Sequence, residues 1–217
     1  MTNLVRTIRQ RDLLYLFVGS VIGSGIFLTP GLILRQVHNS VGLSILVWVL
    51  GGALSLLGAL TYAELAAANP EAGGLYCYIR DGFGAVPAFL YGWCLFLVIA
   101  SGTIVVLGAW SVILTQTGKF SELIGGVIFV GWIFYGLSAA AIFPLRRALN
   151  GNTIPYRVPG YPWTPLLFVL AAAAIVDNAI FRATIDPMAF RHVLAALALV
   201  GAGIPAYFFW LWQKKTQ

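Results

Sequence analysis

A bundle of about six membrane-spanning helices is the fold this sequence predicts, and composition and length together predict it. Of 217 residues, 60% are apolar and only 9% charged, where an ordinary soluble domain carries roughly a quarter charged residues. That excludes a soluble globular protein. A mean hydropathy of +0.90 excludes disorder, which needs low hydrophobicity and high charge. A bilayer crossing takes about 20 residues, so six spans and their connectors nearly fill the chain and twelve do not fit.

The first span covers residues 13–34, which carry no charge. It follows Arg6, Arg9 and Arg11, but it is longer than the apolar core of a signal peptide and lacks a small-residue cleavage site, so it is expected to stay as an anchor. The next spans read as 42–68, 86–116, 123–145, 164–181 and 193–212, with Glu64 and Asp177 the two charges inside them. The third run would form a helix about 46 Å long at 1.5 Å per residue, against a hydrocarbon core near 30 Å. It should either project beyond the hydrocarbon or break near Ser101-Gly102.

Basic residues orient the spans, because they favour the cytoplasmic connectors. With both termini cytoplasmic, that side holds Arg6, Arg9, Arg11, Arg80, Arg146, Arg147, Arg157, Lys214 and Lys215, against Arg35, Lys119, Arg182 and Arg191 opposite. The net charge of +6 is thus a topology signal and not the footprint of nucleic acid; lipid is the expected surroundings. Residues 69–85 mix Tyr76, Tyr78, Ile79 and Phe83 with Glu71, Arg80 and Asp81, which suits a short interfacial helix. Residues 150–165 hold four prolines and should form an extended, stiff strap. Cys77 and Cys94 suggest neither a disulfide framework nor a metal site. No nucleophile with a base, paired catalytic carboxylates or ligand cluster argues for an enzyme, and no cofactor is expected.

Halfway along the first span lies Gly23-Ser24-Gly25-Ile26-Phe27, preceded by Gly19 and followed by Pro30-Gly31. One reading is packing, since Gly19 and Gly23 form a small-xxx-small pair that lets helices approach closely. The other is an unwound segment at mid-membrane, tolerated only where it is buried or lines a polar cavity. The second half-helix would then present unpaired N–H groups and the positive end of its dipole to an anion. The first would offer free carbonyls near Val21 and Ile22 to an ammonium group. Those two ends, with the Ser24 hydroxyl as a further donor, suit the carboxylate and ammonium of a free amino acid.

The run Val18-Gly19-Ser20-Val21-Ile22-Gly23-Ser24-Gly25-Ile26-Phe27 closely resembles the first helix of amino acid permeases of the amino acid, polyamine and organocation superfamily. Tyr62-Ala63-Glu64-Leu65, Gly73-Gly74-Leu75-Tyr76-Cys77-Tyr78-Ile79 and Phe83-Gly84 resemble the second helix and first cytoplasmic loop of that family. Phe134-Tyr135, the strap 155–162 and Gly203-Ile204-Pro205-Ala206-Tyr207 resemble its C-terminal part. The resemblance implies a partial LeuT-like fold with a broken first helix and amino acid transport across the plasma membrane. Substrate would bind at Val21, Ile22, Gly23, Ser24 and Gly25. That family normally has twelve helices, the first ten forming two inverted repeats. Here residues 1–105 resemble helices one to three, while 106–217 resemble the end of helix nine and helices ten to twelve, so the third span is expected to be a join. The sixth helix, whose break faces that of the first, would be missing. The alternative function is therefore a non-transporting, internally shortened relic or a partner subunit in a homo- or hetero-oligomer.

Glu64 is expected to be structural, pairing with a connector base or capping backbone donors, or by family likeness to belong to a gate. Asp177, an intramembrane carboxylate that could serve a proton relay, is expected instead to form an interfacial pair with Arg182 near the outer face, and His38 and His192 to be solvated or interfacial. The charge distribution predicts that cysteines introduced at Thr2 and Thr216 are labelled from the inside of intact cells only. Labelling of either from outside would contradict the six-span arrangement.

Overall fold

The computed structural model describes residues 9–21, 25–70, 73–96, 120–149 and 155–215, and among these it contains nine α-helices and no strand. They are α1 (Gln10–Val21), α2 (Gly25–Gln36), α3 (Val41–Ala68), α4 (Leu75–Phe83), α5 (Ala85–Leu95), α6 (Phe120–Ala140), α7 (Ile142–Ala148), α8 (Trp163–Ile185) and α9 (Pro187–Lys215). Four stretches are long and apolar enough to cross a membrane: Val41–Ala68, Ile128–Ala148, Trp163–Ile185 and Ala189–Gln213. At 1.5 Å per residue each reaches or exceeds about 30 Å. The other two expected spans include residues outside the described ones. The first is described as α1 and α2, and the third only through α5 and Phe96, so neither the join nor a break near Ser101-Gly102 lies within the description.

Local chemistry sets the helix boundaries. The carboxylate of Asp12 accepts the N–H of Arg9 at 2.9 Å, satisfying a free donor at the start of α1. Between α2 and α3, His38 and Asn39 adopt φ of 55° and 60°, and Ser40 accepts the N–H of Leu43 at 3.4 Å to start α3. Asn69 precedes a proline and so is biased away from helical backbone, which ends α3 at Ala68. Asp186 is followed by Pro187 at the first position of α9, where a missing N–H costs nothing.

The expected fourth span, 123–145, is covered by α6 and α7, which together supply the crossing Ile128–Ala148; Ala141 between them keeps helical backbone (φ −59°, ψ −20°), and the regular ladder is interrupted there for one residue. The cause is Pro144, which lacks the N–H that would reach the carbonyl of Ala140 and whose ring crowds that carbonyl. The N–H of Ala141 is shared between the carbonyls of Leu137 (3.1 Å) and Ser138 (3.2 Å), a local tightening of the ladder. A short helix, α4, forms within the connector 69–85 and buries Cys77, Tyr78 and Ile79, and the strap runs non-helical from Pro155 to the turn at 159–162.

The chain divides into two compact units, Met1–Ala53 and Leu54–Gln217. The first holds α1, α2 and the beginning of α3, whose Leu46, Val47, Trp48, Val49 and Leu50 are exposed apolar surface of the kind that lipid covers. The second holds two apolar clusters. One joins Ile79, Ala88, Cys94, Phe129, Val130, Phe134 and Ala196 from α4, α5, α6 and α9. The indole N–H of Trp93 donates across it to the carbonyl of Leu199 at 3.2 Å. The other joins Leu65, Cys77, Tyr78, Ala141, Ile142 and Val158 from α3, α4, the α6–α7 junction and the strap.

Small residues let these helices approach, as is general where lipid is as apolar as the side chains. Gly136 on α6 faces Ala172 on α8, and the ring of Phe168 fills the space beside Gly58 on α3. Gly82 on α4 is the least forgiving case: a β-carbon there would lie 2.6 Å from the Ala141 β-carbon and 3.0 Å from its α-carbon, which is backbone and cannot swing away. We predict that Gly82→Val lowers stability by about 1–3 kcal/mol, while Gly201→Ala, at a position open on all sides, changes it by less than about 1 kcal/mol. Thermal unfolding of both purified variants checks this.

Candidate functional site

The described residues converge most tightly on the Glu64 carboxylate. Glu64 lies one turn before the end of α3 and is only 1% exposed. Taking an unpaired carboxylate out of water is costly, so partners must meet it. Arg146 of α7 meets it with two parallel bonds, Nε to Oε1 at 2.5 Å and Nη2 to Oε2 at 2.5 Å. The backbone N–H of Val158 in the strap donates to Oε2 at 2.6 Å. This fork-on-fork geometry with a third donor is the strongest arrangement available to an arginine and a carboxylate.

Arg146 is itself held from the far side. Its guanidinium carbon lies 3.6 Å from the centroid of the Tyr161 ring, a contact worth about 0.5–2 kcal/mol depending on how dry it is. The Tyr161 ring also meets Phe143 at 6.0 Å. The strap is pinned a second time where the hydroxyl of Thr164 donates to the carbonyl of Pro159 at 2.6 Å, and the N–H of Thr164 donates to the carbonyl of Gly160. Gly160 takes φ +72°, a backbone conformation that glycine adopts without penalty. On the neighbouring turn of α3, the Tyr62 hydroxyl donates to the carbonyl of Tyr135 at 2.8 Å and its ring stands edge-on to Phe168 at 6.0 Å. Asn69 donates to Asp81, which in turn pairs with Arg80 at 2.9 Å.

Of the residues singled out in the sequence, Glu64 is thus bound to both a base and a backbone donor. Val21 is the last residue of α1 and Gly25 the first of α2, while Ile22, Gly23 and Ser24 lie outside the described residues. Asp177 does not pair with Arg182, contrary to expectation; five residues apart on a helix, they point about 140° away from each other. His38 is exposed. Sequence reasoning did not single out Arg146, Val158 or Tyr161. The available signal was the buried charge at Glu64, which demands a cation at the same end of the bundle.

The helices and this internal ion pair define a multi-pass helical membrane protein. The chain belongs to the amino acid permease family, which matches it over residues 8–175. It is similar to the human Asc-type amino acid transporter 1, at 42% identity over 92 residues, covering 42% of this chain and 17% of that protein. It is also similar to the mouse b(0,+)-type amino acid transporter 1, at 28% identity over 220 aligned positions, covering 97% of this chain and 42% of that protein. The human large neutral amino acids transporter small subunit 2 is 45% identical over 84 residues, covering 39% of this chain and 16% of that protein. The chain therefore spans less than half the length of these relatives. No solved structure matches it.

We predict that Glu64→Ala and Arg146→Ala each cost about 3–5 kcal/mol, since either leaves a charge without its partner. The double variant should cost less than the sum by about 1–3 kcal/mol. Denaturant unfolding of the four proteins in micelles reads the coupling, and strict additivity would show that the pair contributes nothing.

Proposed function

We propose that the chain serves amino acid transport as part of a permease, with the backbone of the first span as its recognition site. The observation that carries this reading is the family match over residues 8–175, which takes in the Gly23-Ser24-Gly25 motif and the Glu64 site. Val21 and Ile22 would offer carbonyls to the substrate ammonium, and Gly23, Ser24 and Gly25 would offer donors to its carboxylate. The named relatives carry amino acids, which supports that substrate class. The distribution of basic residues supports a plasma-membrane protein with both termini cytoplasmic. Glu64, within this reading, positions the cytoplasmic end of α3.

The length of the chain against its relatives favours a second reading of how it works. An inverted-repeat site lies between two broken helices of opposite orientation, and residues 1–105 and 106–217 resemble only the beginning and the end of such a protein. A homodimer with its axis along the membrane normal brings a second first span in the same orientation and does not replace the missing one. We infer that the chain needs a partner that supplies it; one relative is itself named a small subunit.

Two measurements test this. Alkylation of a Ser24→Cys variant should slow at millimolar amino acid, and the absence of protection by any amino acid would contradict the site. The chain reconstituted alone in liposomes should show no saturable uptake above empty vesicles. Saturable uptake abolished by Ser24→Pro, with the variant still inserted, would instead make it a minimal transporter.

A further inference from the structure

We propose that residues 155–162 form a releasable strap, latched over the Cys77–Tyr78 face of α4 by the Glu64–Arg146 pair. The segment makes no helix, and Pro155, Pro159 and Pro162 restrict its backbone, so it moves as a stiff piece and not as a melting coil. Pro155, Arg157, Pro159 and Gly160 are exposed. What holds the strap is concentrated in a few contacts. Val158 buries its side chain to 3% exposure and gives its N–H to Glu64. Tyr161 lies over Arg146, and Thr164 ties back to Pro159 at 2.6 Å. Two of these contacts end on the same ion pair, so the strap is latched at one electrostatic point and hinged at its α8 end.

Its underside is the apolar cluster of Leu65, Cys77, Tyr78, Ala141 and Ile142, into which Val158 is set. Segments with exposed backbone and few buried contacts open locally at lower cost than the helices around them. Lifting the strap withdraws the Val158 side chain from this cluster and its N–H from Glu64. Water then reaches the carboxylate, which keeps Arg146, and the same opening reaches Cys77. The Glu64 carboxylate thereby keeps α7 through Arg146 but loses the strap, which makes the strap a conformational latch on α3.

The two cysteines supply the test. Both are buried and neither is in a disulfide, but Cys77 lies in the same apolar cluster as Val158 of the strap, with its sulfur also close to Gly73, and Cys94 lies in the cluster of α4, α5, α6 and α9. The whole chain in micelles is treated with N-ethylmaleimide, and peptide mass mapping follows the rate at each thiol. Glu64→Gln weakens the latch, while Thr164→Ala loosens the strap and leaves the charge pair intact. We expect Cys77 to label at least tenfold faster in both variants, with the Cys94 rate unchanged within twofold. An unchanged Cys77 rate in either variant overturns the proposal. So does a rise at both cysteines together, because the strap would then open only with the whole bundle.

Discussion

A carboxylate buried among apolar helices must be answered by fixed donors, and in this chain the answer determines which segments meet. Glu64 near the end of α3 draws in Arg146 from α7 and the Val158 N–H from the strap. Each donor is available because of a separate local feature. Pro144 interrupts the helical ladder for one residue just before the turn that carries Arg146. The prolines of the strap leave it extended, with N–H groups not used in a helix. Gly82 lets α4 lie against Ala141, where α6 passes into α7, closing the apolar cluster beneath. Arginine suits the position better than lysine, since its planar fork bonds both carboxylate oxygens while its face stacks on Tyr161.

Much of this was legible in the sequence where the determinants are local. Long uncharged runs gave the membrane class, Asn69-Pro70 the end of the second span, and the proline-rich segment a non-helical strap. The uncharged run 123–145 gave a crossing, and the one-residue interruption of its ladder at Ala141 has a local cause in Pro144. The partner of Glu64 was not legible, because the connectors expected on one side hold Arg80, Arg146, Arg147 and Arg157, and nothing along the chain ranks them. Arg80 is engaged with its neighbour Asp81, while Arg146 comes from 82 residues away. Val158 shows why strap contacts are harder still: one apolar residue between Arg157 and Pro159 carries no sequence mark of burial. Asp177 and Arg182 pair well on paper but lie on different faces of α8.

Membership in the amino acid permease family and the geometry at Glu64 concern different parts of the chain. The family motif lies in the first unit, at residues 18–27, and the ion pair in the second. The second of these is described by geometry, a scaffold whose helix end is held by a charge pair and a backbone donor. The second unit is well packed although the chain spans less than half the length of its relatives. Its contacts, from the Trp93–Leu199 hydrogen bond to the Gly136–Ala172 approach, are made among segments that this chain itself supplies.

The most direct probe of Glu64 as the organising group is the amide of Val158. Its segment has no helix to protect it, so slow exchange must come from the bond to a buried carboxylate. Single-residue hydrogen exchange in nanodiscs should find the Val158 amide protected by a factor of a hundred or more over an unstructured peptide, and should find that protection lost in Glu64→Ala. Exchange of Val158 at the unstructured rate in the unaltered chain would contradict the arrangement described above.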